Sequence, residues 1–214
     1  MNSEARRKKE KENRKNAILK AARKLFFDRG FKSVTVDSIA SKAELSKGSI
    51  YLYFDSKEEI YTQILIADTM EFHKSISNFS TIEAPASSLL IDFAKVYVDY
   101  FLNDQELFRI FMNFMLRAEQ MNLTNEQHNH LIGMTNENIQ IIAQILQKGI
   151  DSGEFSPGIN VRHSQNAIWG LLNGIISLYL FTGNQAKRAE KIHTMVKDSL
   201  NIFIRGLKRH DDLA

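Results

Sequence analysis

The chain has no cysteine among its 214 residues, only two prolines (Pro85 and Pro157) and a single tryptophan. Without cysteine there can be no disulfide, no thiolate nucleophile and no thiolate-bound metal, and the composition is compatible with a reducing, cytoplasmic setting. Alternating β-branched runs are almost absent, and with ten glycines the chain has few breaks of any kind. That pattern favours an all-α protein. Convergent polar sets are missing too. His128 and His130 stand two apart, which points them to different faces of a helix and makes a poor metal pair. No Ser/His/Asp set, paired carboxylates or glycine-rich phosphate loop stands out, so the expectation is no enzyme, no metal and no cofactor.

What the chain does have is 43% hydrophobic and 25% charged residues, ordinary values for a globular protein. Its formal net charge of +3 is unevenly spread: residues 1–57 hold 15 Lys/Arg against 7 Asp/Glu, and residues 58–214 hold 13 against 18. A basic front on an acidic body suggests that the front meets a polyanion. The N-terminal "EARRKKEKENRK", Glu4–Lys15, has no apolar segment after it that would make it a secretion signal, and it reads as a solvated basic arm.

Apolar residues at Ile18, Ala21, Ala22, Leu25 and Phe26 recur at helical spacing from Asn13 to Arg29, and Gly30 follows where a left-handed helix cap belongs. Thr35 is placed to cap a short helix, Ser46 a second, and "SKEE" at Ser56–Glu59 is a capping box that opens a long one. Five more helices are expected, at about 86–102, 105–119, 125–152, 161–181 and 186–207, the last two separated by "TGNQ". Ser164–Ala186 carries no charge, but Gln165, Asn166 and Asn173 argue against a membrane span.

Two short helices joined by a tight turn, with another packed behind, describe a helix-turn-helix whose second short helix enters the major groove of DNA. Leu45, Ile50 and Phe54 would face Ile39 and Leu25, leaving Lys47, Gly48, Ser49, Tyr51, Leu52 and Tyr53 outward. Gly48 lets the helix start approach a backbone or base edge closely. A tyrosine offers a flat apolar ring and a hydroxyl that reaches a phosphate, so Tyr51 and Tyr53 suit DNA while Phe54 suits the core.

"TVDSIASKAELSKGSIYLYFDSKEEIY", Thr35–Tyr61, and "ILKAARKLFFDRGFKSVTV" before it resemble the signature of the TetR family of bacterial one-component regulators, over about residues 13–65. The resemblance implies a basic flexible arm over 1–12, a three-helix DNA-binding domain over 13–60 with its helix-turn-helix at about 35–54, and a larger helical ligand-sensing and dimerisation domain over 61–214, about nine helices in all. It also implies that Thr35 caps its helix and touches a phosphate, that Lys47, Gly48, Ser49, Tyr51 and Tyr53 form the DNA face, and that Lys57 pairs with a phosphate. One departure stands out: Glu44 occupies a turn position that is usually glycine, which at positive φ costs about 1–2 kcal/mol.

In that family the second domain surrounds a mostly apolar small-molecule pocket. The Phe- and Met-rich region here puts Phe93, Tyr97, Phe108, Phe111, Met112, Met115 and Met134 forward as lining, with Asn138 and Asn173 as polar anchors; a plain helical core with methionine filler has the same composition. The last two helices carry more apolar surface than one core needs. Ile168, Gly170, Leu171, Gly174, Ile175 and Leu178, with Ile192, Met195, Leu200 and Phe203, are expected to form a four-helix dimer interface. The function implied is a cytoplasmic homodimeric regulator, a repressor released from a near-palindromic operator by a hydrophobic effector. Alternatives are a DNA-binding organiser without a ligand, and a helical adaptor whose basic front docks on anionic membrane or acidic protein.

Overall fold

The computed structural model describes residues 3–181 and 185–208; residues 182–184 of the expected "TGNQ" break lie outside them. The described residues form nine α-helices: α1 Ser3–Arg29, α2 Val36–Lys42, α3 Lys47–Tyr51, α4 Lys57–Ile76, α5 Ala86–Asn103, α6 Gln105–Arg117, α7 Asn125–Asp151, α8 Val161–Tyr179 and α9 Gln185–Leu207. The chain divides into two compact units, one of residues 1–69 and 106–133, the other of 70–105 and 134–214. The boundary expected near residue 60 therefore differs from the division by contacts, which gives α6 to the unit that holds the helix-turn-helix.

In the first unit, α1 begins about ten residues earlier than its apolar pattern predicts. Residues 4–14 are all exposed, so no packing drives this. They are mostly strong helix formers, and Arg14 pairs with Glu10 one turn back at 2.8 Å. The arm is helical and solvated. Gly30, at φ 73, ends α1 and donates its amide to Phe26 O at 3.0 Å, the left-handed cap its position predicts. Ile18, Ala22, Leu25, Ile39, Ile50 and Phe54 fill the centre of the three-helix head. Behind them Phe26, Phe31 and Tyr61 pack ring against ring, with centroids 5.0 to 5.7 Å apart. Tyr61 also donates its hydroxyl to Ile110 O at 2.6 Å, which fastens α4 to α6. Burial raises this phenol above its ordinary range, partly opposed by a hydrogen bond with Asn113.

The second unit is built on α5, α8 and α9, which pack on one another. Glu154 caps α5 from a distance in sequence: its carboxylate accepts from the amides of Ala86 at 2.6 Å and Ser87 at 3.0 Å. Ile168, Leu172 and Ile176 of α8 and Ile192, Val196 and Leu200 of α9 are buried in this unit. No helix among the described residues is long and apolar enough to cross a membrane, and none of their His, Asp and Glu side chains gather into a metal-binding group.

Candidate nucleic-acid interface and sensing core

The helix-turn-helix is set by its caps. The Thr35 hydroxyl accepts from the Ser38 amide at 3.1 Å, and Ser38 Oγ accepts from the Thr35 amide at 3.1 Å, a reciprocal capping box at the start of α2. Ser46 caps α3 in the same way, accepting from the Ser49 amide at 3.1 Å. Between them, Glu44 stands at φ 57, the positive value at which the sequence predicts strain. Its amide bonds to Ser41 O at 3.2 Å and the next amide, of Leu45, to Ala40 O at 2.9 Å. These are the two crossed bonds of a Schellman cap, so the glycine position of that motif is held by glutamate. The third cap differs in one detail. Glu59 donates its amide to Ser56 as expected, but its carboxylate returns to the Asp55 amide at 2.6 Å.

These caps present α3 with a buried and an open side. Ile50 and Phe54 are buried, Tyr51 is 48% exposed and Leu52 77%, while Ser49 and Tyr53 are half-buried. A Cβ built on Gly48 would meet only Ser46 Oγ, at 3.9 Å, and its φ is not positive. Nothing within the chain requires glycine there.

The cations are placed less simply. Lys47 donates to Asp37 Oδ2 at 2.8 Å, tying the start of α3 to the first turn of α2, and that hydrogen bond holds its ammonium pKa above the usual value. Lys57, expected on a phosphate, donates within the chain to Phe31 O at 3.1 Å and Val34 O at 3.0 Å, with its ammonium 4.4 Å from the Phe31 ring centroid. It braces the loop that leads into α2. A residue that the sequence did not flag is Asp37: an acid in a first turn reads as a partner of the helix dipole, and nothing in the spacing marks it as the partner of Lys47.

The expected ligand-lining residues are split between the two units. Phe108, Phe111, Met112 and Met115 lie on α6 in the first; Phe93, Tyr97, Met134, Asn138 and Asn173 lie in the second. Within the second unit the polar members are satisfied inside an aromatic core. Tyr97 donates to Asn173 Oδ1 at 2.9 Å, and Asn173 passes its own amide to Trp169 O at 2.9 Å. Phe72, Phe93 and Phe101 surround the Tyr97 ring, and burial raises its phenol well above the ordinary range. Asn138 Oδ1 lies 2.7 Å from His73 Nδ1, a partner that the sequence did not suggest.

The expected dimer residues divide by burial. Ile168, Ile175, Ile192 and Leu200, expected at the interface, are instead buried within this chain, which leaves them no surface to offer a second copy. Gly170, Gly174, Leu178 and Met195 are exposed, and Leu171 and Phe203 are half-buried. Phe181 and Ile202, not singled out in the sequence, are exposed as well.

Comparison with known proteins agrees with this architecture. Residues 18–64 match the family model described as bacterial regulatory proteins, tetR family, and residues 96–209 match the C-terminal region of QacR-like proteins. The chain belongs to the TetR family. It is a transcriptional regulator of that type, with a helix-turn-helix at the N-terminal end and a helical domain after it. The fatty acid metabolism regulator protein of Bacillus subtilis is 26% identical to this TetR-family chain over 163 residues, covering 76% of the chain and 81% of the relative. PfmR of Thermus thermophilus shares the fold at a TM-score of 0.74 and 24% identity, with 90% and 99% of the two chains covered. FadR of Bacillus subtilis, solved in complex with stearoyl-CoA, aligns at a TM-score of 0.67 and 21% identity, covering 84% and 96%.

Proposed function

We propose that this TetR-family regulator is a homodimeric repressor that binds a near-palindromic operator and is released by a hydrophobic small molecule. The observation that carries the DNA assignment is Gly48. A glycine near the start of an exposed helix, where a side chain would meet nothing closer than Ser46 Oγ at 3.9 Å, is explained by close approach of something outside the chain. Around it Thr35, Lys47, Ser49, Tyr51 and Tyr53 supply hydroxyls, a charge and flat rings, the groups that position a helix on phosphates and base edges. Lys57 would join through the one N–H that Phe31 and Val34 leave it.

The dimer reading rests on the outer strip of α8 and α9. Gly170 and Gly174 leave a flat track on α8 where a Cβ would meet nothing, and Leu178 at 64% and Ile202 at 72% exposure leave apolar surface open on the same two helices. A two-fold four-helix contact would cover these groups and fix the spacing of two DNA heads, roughly 34–36 Å for successive major grooves.

The sensing reading rests on the Tyr97–Asn173 and His73–Asn138 pairs, polar anchors within an aromatic core of the second unit. An acyl chain is the first ligand to test, because FadR of Bacillus subtilis was solved with stearoyl-CoA. The ligand must bind the DNA-incompetent arrangement better than the competent one, since equal affinity releases nothing.

Selection of bound sequences from random DNA, followed by titration with long-chain acyl-CoA, tests the whole reading. A near-palindrome that is lost on adding ligand is the expected outcome. A selected operator that no hydrophobic compound releases would leave a ligand-free DNA organiser, and no selected sequence at all would overturn the assignment.

A further inference from the structure

A separate cleft of about 270 Å³ lies wholly within the first unit, between the α1–α2 loop and the C-terminal end of α6. Three cations line it: Arg29, Lys32 and Arg117. All three are exposed, and none is in an ion pair among the described residues. No carboxylate is among the lining residues. Arg29 and Arg117 stand in the last turns of α1 and α6, where a cation offsets the helix dipole. That role does not use up the charge: about half a unit at each of two helix ends, set against three full charges, leaves roughly +2 facing the cleft.

The rest of the lining is suited to a small molecule. Ser33, Asn113 and Gln120 bring hydroxyl and amide groups, and the nearly buried Phe31 and Met121 give an apolar floor. None of Thr35, Lys47, Gly48, Ser49, Tyr51 or Tyr53 takes part, so the cleft is distinct from the proposed DNA face. Its volume lies just under the 300–1,000 Å³ typical of small-molecule sites, enough for one ring or a short chain with a charged head.

We propose that this cleft binds a small organic oxyanion, its carboxylate or phosphate held by Arg29, Lys32 and Arg117 and its apolar body laid on Phe31 and Met121. The occupant would bridge the loop that carries the Phe31 and Val34 carbonyls, which hold Lys57, to the end of α6. The inference does not rest on the operator or the acyl ligand proposed above.

Calorimetric titration of the full-length protein in low-salt, phosphate-free buffer tests it, with phenyl phosphate and benzoate as the two charged probes and benzyl alcohol as the neutral control. One charged probe should bind saturably below millimolar concentration, and which one does so identifies the head group. Arg117→Gln and Lys32→Gln should each weaken it about tenfold, the worth of a charge-assisted hydrogen bond, with melting moved by no more than about a degree or two, since both side chains are exposed and Arg117 gives up only its part in offsetting the helix dipole. Binding unaltered in the triple variant R29Q/K32Q/R117Q, benzyl alcohol binding as well as the charged probes, or no binding of either anion would each overturn the proposal. If neither anion binds but the triple variant flattens the salt dependence of DNA binding, the cleft belongs to the DNA footprint and the proposal also fails.

Discussion

Lys47 and Asp37 face each other across the helix-turn-helix at 2.8 Å, a cation of the proposed DNA surface held by an acid of the neighbouring helix. Both side chains are about half exposed or more, so the pair itself contributes little to stability. Its effect falls on DNA, because Asp37 offsets Lys47 and repels a phosphate drawn to it. Asp37→Asn should therefore strengthen binding to all sequences and steepen the dependence of log K on log salt by about one unit. Filter-binding titrations at several salt concentrations measure this; an unchanged slope would mean that Lys47 stays away from the phosphates.

Gly48→Ala and Tyr51→Ala separate the DNA face from the fold. Neither change touches the core, since a Cβ at Gly48 meets only Ser46 Oγ and Tyr51 is half exposed. Each should cost on the order of 1–3 kcal/mol of specific binding while leaving the melting temperature within a degree or two. Phe54→Ala is the contrast, expected to lose about 3–5 kcal/mol of stability because the ring is buried. Unchanged operator affinity in both surface variants would remove α3 from the major groove.

Glu44→Gly should stabilise the protein. The left-handed conformation costs a non-glycine residue about 1–2 kcal/mol, and the added chain entropy of glycine takes back about 0.4–1. A net gain of about 0–1.6 kcal/mol in chemical denaturation is expected, with Glu44→Ala no better than the parent. A clear loss on Glu44→Gly would show that the glutamate side chain holds the turn.

Alkali should unfold both units through their buried phenols. Tyr61 and Tyr97 are raised above their ordinary value by burial, so folding favours the protonated form. The sign follows: their contribution is complete below the unfolded tyrosine pKa near 10 and is lost as pH rises beyond it, at about 1.4 kcal/mol per pH unit for each ring. Denaturation curves from pH 9 to 11 should show the loss in the parent and about half of it in Tyr97→Phe. That variant starts lower, since Asn173 loses a buried partner worth about 1–3 kcal/mol.

Gly174→Arg tests the interface from within the second unit. The site is open, so the helix accommodates the side chain, while a charged arm on the flat track would hold a second copy away. Sedimentation should find a monomer with full helical content and no specific operator binding. A variant that remains dimeric would place the interface elsewhere.

Local rules carried most of the fold. The caps at Thr35, Ser46 and Ser56, the left-handed Gly30 and the strained Glu44 all follow from short-range chemistry, and each is where the sequence puts it. What was not legible is contact across sequence. The stripe Ile168, Ile175, Ile192, Leu200 shows that a face is buried, but spacing cannot say whether by the same chain or another, and here the chain buries it itself. Lys57 is an exposed-looking cation in any pattern, and only the fold brings two carbonyls of the α1–α2 loop to it. Nor does composition place α6 with the DNA head, which depends on the reach of Tyr61 to Ile110.

The early start of α1 has a kinetic consequence. Its first twelve residues extend as a rod of about 18 Å, about twice the Debye length in physiological salt. Arg6, Arg7, Lys8, Lys9, Lys11 and Arg14 are spread around it at 100° per residue, so it presents charge whichever way it is turned. Such a rod has no register to match on a duplex. It widens the distance and the range of orientations over which a passing helix of DNA is captured, and its removal would slow arrival at the operator far more than it would hasten departure.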